Sequence, residues 1–231
     1  MEKFLGYVLD LLSGFGNTVL LFLVTLVLAI PLGLLVSFLS MSKVKWIKAI
    51  TRFFISIIRG TPLMLQLIII FYGPGLVFGP GYGFKEIKLF GYILPGSERM
   101  IAAIVAFVIN YSAYFSEIFR GGIESISKGQ YEAGMVLGLK KGQIFRHVIL
   151  LQVVKNIVPP MGNEIITLVK DTSLARIISV TELTFIADSI RYTTGSGILP
   201  LVAAGVFYYV FNALVAFLLK KLEKKLEYIK V

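Results

Sequence analysis

Residues 148–174, VILLQVVKNIVPPMGNEIITLVKDTSL, decide the fold of this chain. The run from Val148 to Val169 is long and apolar enough for one membrane-spanning helix, which needs about 20 residues. It nevertheless contains Glu164 and Thr167, and it ends in Lys170-Asp171-Thr172-Ser173-Leu174. A charge at membrane depth costs roughly 2.5–3.5 kcal/mol on insertion scales, so such a residue usually faces a cavity or a partner. Asn156, Pro160, Asn163, Glu164, Thr167 and Asp171 recur at three- and four-residue steps and therefore share a helix face. Pro159-Pro160 is expected to bend that helix. A bent span with a polar face reads as part of a transport path rather than a passive anchor.

The composition agrees. The chain has 231 residues, is 57% apolar and has a mean hydropathy of +0.85, whereas soluble domains lie at about 45–50% apolar. An all-α integral membrane protein with about five transmembrane helices follows. The spans are read as 17–40, 62–78, 100–119, 148–169 and 198–219, with 47–58 extending the second across a break at Gly60. Thr61 is placed as the cap of that second span and Pro62 in its first turn. Residues 174–187 are too short to span and read as re-entrant or interfacial, and Gly73 to Gly83 as an outer loop. The chain divides into an amphipathic segment 1–16, a transmembrane domain 17–219 and a basic tail 220–231. The start lacks a basic region and a cleavage site, so no signal peptide is expected.

The net charge of +10 follows topology rather than one basic face. Segments 41–52, 120–147 and 220–231 carry fourteen Lys and Arg, against five in the alternate segments. The positive-inside rule then places the N-terminus outside and the C-terminus in the cytoplasm, and leaves no case for nucleic-acid binding. With no cysteine and His147 alone, neither disulfides nor a metal site is expected. No Ser-His, His-Glu-x-x-His or paired-Asp constellation marks a catalytic site.

A second polar face lies on the third span, where Asn110, Tyr114 and Glu117 align, with Tyr111 and Ser112 beside them. Two polar faces in one bundle point to a shared aqueous cavity. Structural roles compete: Asn and Thr glue membrane helices together, Glu117 can pair with Arg120, and Lys170 and Asp171 with a neighbouring helix.

Segment 121–147 is the longest inner connection and has helical spacing. Tyr131, Met135 and Leu139 fall on one face, Gly138 breaks the pattern, and a second short helix starts near Lys141. Two surfaces suit such a hairpin: the bilayer or a groove on a cytosolic partner.

Glu132-Ala133-Gly134, then Gly138, Val148 and Leu150, resembles the EAA loop of ABC importer permeases. Gly134 replaces that pattern's second Ala, Val148 its Ile and Leu151 its Pro. Arg59-Gly60-Thr61-Pro62 with Gln66-Leu67, Ala113-Tyr114 with Glu117, Arg120-Gly121, Gly129-Gln130 and Lys170–Leu174 resemble the polar amino acid (histidine/glutamine/arginine-type) subfamily. The resemblance covers residues 17–219 and implies a type I importer permease (MetI-like) fold in a bacterial inner membrane. It also implies a dimer of permeases, two ATP-binding subunits and an external solute-binding protein. The partner permease is this chain itself or a paralogue; because the chain carries both the loop helix and the polar stripe, a homodimer with two equivalent sites is the preferred reading. ATP and Mg²⁺ would sit on the partner ATPase, since this chain has no Gly-x-x-x-x-Gly-Lys-Ser/Thr run. Residues 130–147 would carry the ATPase's motion to the membrane, through Glu132, Ala133, Gly134 and Gly138.

The substrate residues are then Glu164, Asp171, Asn163, Thr167, Glu117, Asn110 and Tyr114. Acidic side chains in low dielectric attract cations, so a basic amino acid such as arginine, lysine or histidine is expected, with Glu164 the more informative residue. Lys170 works against this by its charge. The alternative is an ion-coupled secondary transporter with Glu117, Glu164 and Asp171 as a relay; no internal repeat supports it.

Overall fold

The computed structural model describes residues 2–79, 81–89, 92–94 and 96–227. Met1 and the last four residues of the basic tail lie outside that range.

Helix α1 (Glu2–Ser40) runs through Pro31 without interruption. The amphipathic start is therefore continuous with the first span, which extends over Gly6–Ser40. Its apolar side has a target. Leu11 joins Leu183, Ala187, Ile190 and Ala204 in a small buried cluster, and Phe15 meets the rings of Phe207 and Phe211. Further along, a Cβ on Gly33 would lie 2.8 Å from Cβ of Phe115, so α1 packs closely on α4 (Ser97–Glu124).

Helices α2 (Lys45–Gly60) and α3 (Leu63–Phe78) do not form one extended rod. Their axes differ by 106°. The ring of Pro62 disfavours helical backbone at the preceding residue, and Thr61 is extended at φ −119°, ψ 144°. Thr61 does not cap α3. Its hydroxyl donates to the carbonyl of Ile57 at 2.9 Å, and Pro62 holds the N-cap position without a side-chain hydrogen bond. The bend is held by Gln66, whose Nε2 donates to the Ile58 carbonyl (2.8 Å), the Thr61 carbonyl (3.2 Å) and Thr61 Oγ1 (2.9 Å). Its Oε1 accepts from Asn110 Nδ2 at 3.1 Å.

A short antiparallel hairpin, β1 (Ile87–Leu89) and β2 (Tyr92–Leu94), pairs Lys88 with Ile93. It is the departure from an otherwise helical structure among the described residues. Beyond α4 come α5 (Lys128–Val136), α6 (Lys141–Ile144), a π-helical turn Phe145–Ile149, and α7 (Leu150–Asp171). The helix continues through Pro159-Pro160. Next are a 3₁₀ stretch Thr172–Ile178, α8 (Leu183–Thr194) and α9 (Leu199–Glu227).

Helices α1, α4 and α9 are long and apolar enough to cross a membrane, and α2–α3 forms a fourth crossing if counted as one broken span. Lys155, Glu164, Lys170 and Asp171 make α7 more polar. It falls short of the same test, so of the expected set of about five spans, three to four pass on length and composition among the described residues.

Segment 174–187 is fastened to the bundle. Asn17 Nδ2 donates to the Thr181 carbonyl at 2.8 Å, and the Leu183 N–H donates to Thr18 Oγ1 at 3.1 Å. Glu182 is fully buried and caps α8, accepting from the N–H groups of Thr184 (2.8 Å) and Phe185 (2.7 Å). Tyr208 on α9 donates its hydroxyl to the same carboxylate at 2.8 Å. A buried carboxylate is tolerable only with such partners.

Candidate functional site: a central polar cavity and a helical hairpin

Where the α2–α3 bend meets α4 and the end of α7, a cavity of about 560 Å³ opens. Its walls include Asn110, Tyr114, Glu164, Thr167 and Asp171, so five of the seven residues read as substrate ligands share one space. Tyr111 donates its hydroxyl to Asp171 Oδ2 at 2.7 Å, fixing that carboxylate against α4. Among the described residues Glu164 receives no hydrogen bond; Arg59 and Asp171 are its electrostatic neighbours. Asn110 is spent on Gln66 and supports the bend. Thr167 donates back to the Asn163 carbonyl at 3.0 Å within its own helix.

The two remaining residues lie elsewhere. Asn163 is exposed and outside the cavity wall. The polar stripe on α7 is too wide for one cavity: Asn156 and Pro160 line a separate space of about 670 Å³, where Asn156 Nδ2 donates to Ser125 Oγ at 2.9 Å. Glu117 is held by Arg120, whose Nε and Nη2 donate to it at 3.1 and 2.6 Å. It lines the neighbouring spaces rather than the central one. Lys170 is exposed and also outside the central wall, as expected for a residue adjacent in sequence to an inward-facing Asp171.

Arg59, Tyr111 and Thr61 were absent from the ligand set drawn from the sequence, yet all three line the cavity. Tyr111 lies three residues before Tyr114 and so shares its face, a signal already in the sequence. Arg59 precedes a Gly-Thr-Pro breaker, but its entry into the cavity depends on the angle of that break.

The hairpin is built as its residues require. Ser127 caps α5, its Oγ accepting from the Gly129 N–H at 3.2 Å. At the other end Gly138 adopts φ +76°. The Leu139 N–H reaches the Gly134 carbonyl (3.1 Å) and the Gly138 N–H the Met135 carbonyl (2.9 Å), which is a Schellman closure. Leu139 therefore lies past the helix end rather than on the Tyr131–Met135 face. Gly134 is buried against Ile144; a Cβ there would lie 2.7 Å from Ile144 Cγ1. That contact locks α5 onto α6. It leaves Glu132 and Ala133 exposed, beside Val136 and Leu137, which are 88% and 77% exposed.

Comparison with known proteins places this arrangement. The family described as “Binding-protein-dependent transport system inner membrane component” matches residues 29–228. The arginine transport system permease protein ArtQ of Bacillus subtilis (strain 168) is 33% identical over 217 residues, covering 94% of this chain and 92% of that protein. The glutamine transport system permease protein GlnP of Escherichia coli (strain K12) is 34% identical over 174 residues, covering 75% and 73%. A solved amino acid ABC transporter with histidines superposes with a TM-score of 0.81 at 31% identity, covering 96% of this chain and 97% of that chain. The chain belongs to the family of inner membrane components of binding-protein-dependent transport systems, as a permease of the polar amino acid ABC type.

Proposed function

We propose that this chain is the membrane-spanning permease of an ATP-driven importer for basic amino acids such as arginine, lysine or histidine. The charge of the central cavity carries this reading. Its wall holds one cationic side chain, Arg59, and two carboxylates, Glu164 and Asp171. A basic amino acid carries the opposite set, two positive groups and one carboxylate, and in a site of reduced dielectric that complementarity decides between ligands. The named relatives include permeases for both arginine and glutamine, so the charge balance is the discriminating observation.

The permease works as a homodimer with two ATPase subunits on the cytoplasmic side and a solute-binding protein on the outer side, in a bacterial inner membrane. ATP and Mg²⁺ act on the ATPase, and alternating access is driven through residues 130–147. The exposed α5 edge with Glu132, Val136 and Leu137 supports a protein groove, rather than the bilayer, as the surface covered by the hairpin. A charged group beside exposed aliphatic side chains suits a hydrogen-bonded helix-in-groove contact. Membership in the importer family sets aside the ion-coupled secondary transporter.

The test is ATP hydrolysis in liposomes by the complex this chain forms in its native membrane, measured against a panel of amino acids. Stimulation by arginine, lysine or histidine is expected. Stimulation by glutamine alone would overturn the basic specificity.

A further inference from the structure

Arg59 stands where the central cavity meets a second space of about 540 Å³, which also contains Arg52, Ser56, Glu117 and Arg120. Gly60 and Tyr114 also line both spaces. The guanidinium carbon lies 5.1 Å from the centre of the Tyr114 ring, a cation–π contact that fixes the group's position without using its N–H donors. Its ion-pair partner is Glu117 at 3.7 Å, longer than a hydrogen bond. Glu117 is already engaged by Arg120, with its closer contact at 2.6 Å. Arg59 makes no hydrogen bond among the described residues, although a guanidinium carries five donors in a planar fork that matches a carboxylate.

We propose that Arg59 reads the α-carboxylate of the transported amino acid, and that its long pair with Glu117 is the resting contact the substrate carboxylate replaces. This rests on the amino acid importer reading and adds to it the group that recognises the end common to all amino acids. The division of labour follows from position. Glu164 and Asp171 lie on α7 and the 3₁₀ junction, whereas Arg59 enters from the α2 side of the same space. A zwitterion held between them has its carboxylate toward α2 and its cationic groups toward α7. The second space holds Arg52, Arg59 and Arg120 against the single acid Glu117, so the carboxylate end also meets a favourable potential there.

The experiment compares free amino acids with their carboxamides, which keep the side chain and ammonium but lose the carboxylate. The native permease–ATPase complex in liposomes is titrated with arginine, lysine, histidine and glutamine and with each corresponding carboxamide. The readout is the half-saturating concentration for stimulation of ATP hydrolysis. The wild type is expected to prefer the acid by roughly tenfold or more, the scale of one charge-assisted hydrogen-bonded pair. Arg59→Gln should abolish the preference by weakening the acid far more than the carboxamide, and Arg59→Lys should restore part of it. Co-purification of the ATPase with each variant reports assembly. Equal response to acid and carboxamide in the wild type, or equal weakening of both in Arg59→Gln, overturns the proposal. A response to glutamine alone would overturn basic selectivity while the carboxylate comparison still stands on glutamine and its carboxamide. A complex that responds to no amino acid overturns both.

Discussion

Tyr111 and Asp171 join two elements that are sixty positions apart in sequence, through one hydroxyl–carboxylate hydrogen bond of 2.7 Å. The bond crosses from the middle of α4 to the last residue of α7 and closes one side of the central cavity. Tyr111→Phe removes it while keeping the ring, which stacks on Phe107. Loss of a hydrogen bond to a charged group is worth about 1.5–3 kcal/mol. The variant should assemble with its ATPase but melt several degrees lower, as read by thermal unfolding of the detergent-solubilised complex. An unchanged melting temperature would show that the bond contributes nothing in the assembled transporter.

Glu164→Gln removes a negative charge from the cavity wall at nearly constant volume. Uptake of arginine should fall by about tenfold or more, the effect of about 1.4 kcal/mol, whereas uptake of any neutral amino acid the protein accepts should change little. Initial-rate uptake of labelled arginine and glutamine into proteoliposomes measures both. Equal losses for the two substrates would remove Glu164 from charge selection.

Glu132→Arg reverses the exposed charge on α5 without disturbing the buried contact below it. The protein should insert and fold normally, while amino acid-stimulated ATP hydrolysis and uptake are both lost. Normal uptake by this variant would remove the α5 edge as the coupling surface.

Gly134→Leu tests the packing beneath that edge. A Cβ at 2.7 Å from Ile144 Cγ1 forces the fully buried Ile144 to move, and overpacking of this kind costs about 1–3 kcal/mol. Less ATPase should co-purify with the variant. Gly134→Ala combined with Ile144→Val should recover most of it, because the smaller pair fills the same space.

Gln66→Leu leaves the Ile58 and Thr61 carbonyls and the Asn110 amide without their shared partner. Asn110 is buried, and a buried polar group left unpaired costs about 1–3 kcal/mol; with the loss of the contacts across the bend, this variant should be the least stable of the series in the same melting experiment. Survival at the wild-type melting temperature would show that the Pro62 ring alone holds the bend.

The spans α1, α4 and α9 were legible because length and hydropathy report them directly, whereas the charges of α7 hide it from the same test, and Gly138 was legible because a helix that ends before a resuming pattern needs a residue free to adopt positive φ. The cavity was legible in part. Three- and four-residue spacing places Asn110 and Tyr114, and also Glu164, Thr167 and Asp171, on common faces, but it carries no rotation or depth. That is why Asn163 and Glu117 appear in the sequence pattern and fall outside the cavity. Local signals also miss Glu182, whose partners Tyr208 and Thr184 surround it only after α8 and α9 have packed. The break at Thr61-Pro62 could be read, whereas its angle depends on Gln66 and Asn110 meeting across two helices.

The angle between α2 and α3 has a mechanical consequence. A straight rod carries thrust along its axis, so pushing its cytoplasmic end would simply advance its outer end. An elbow of 106° cannot do this. Force entering along the lower arm is delivered sideways at the joint, and the joint is where Arg59, Gly60, Thr61 and Pro62 form part of the cavity wall. Under the proposed import cycle, a modest displacement along α2 would change the shape of the chamber rather than slide a helix through the bilayer.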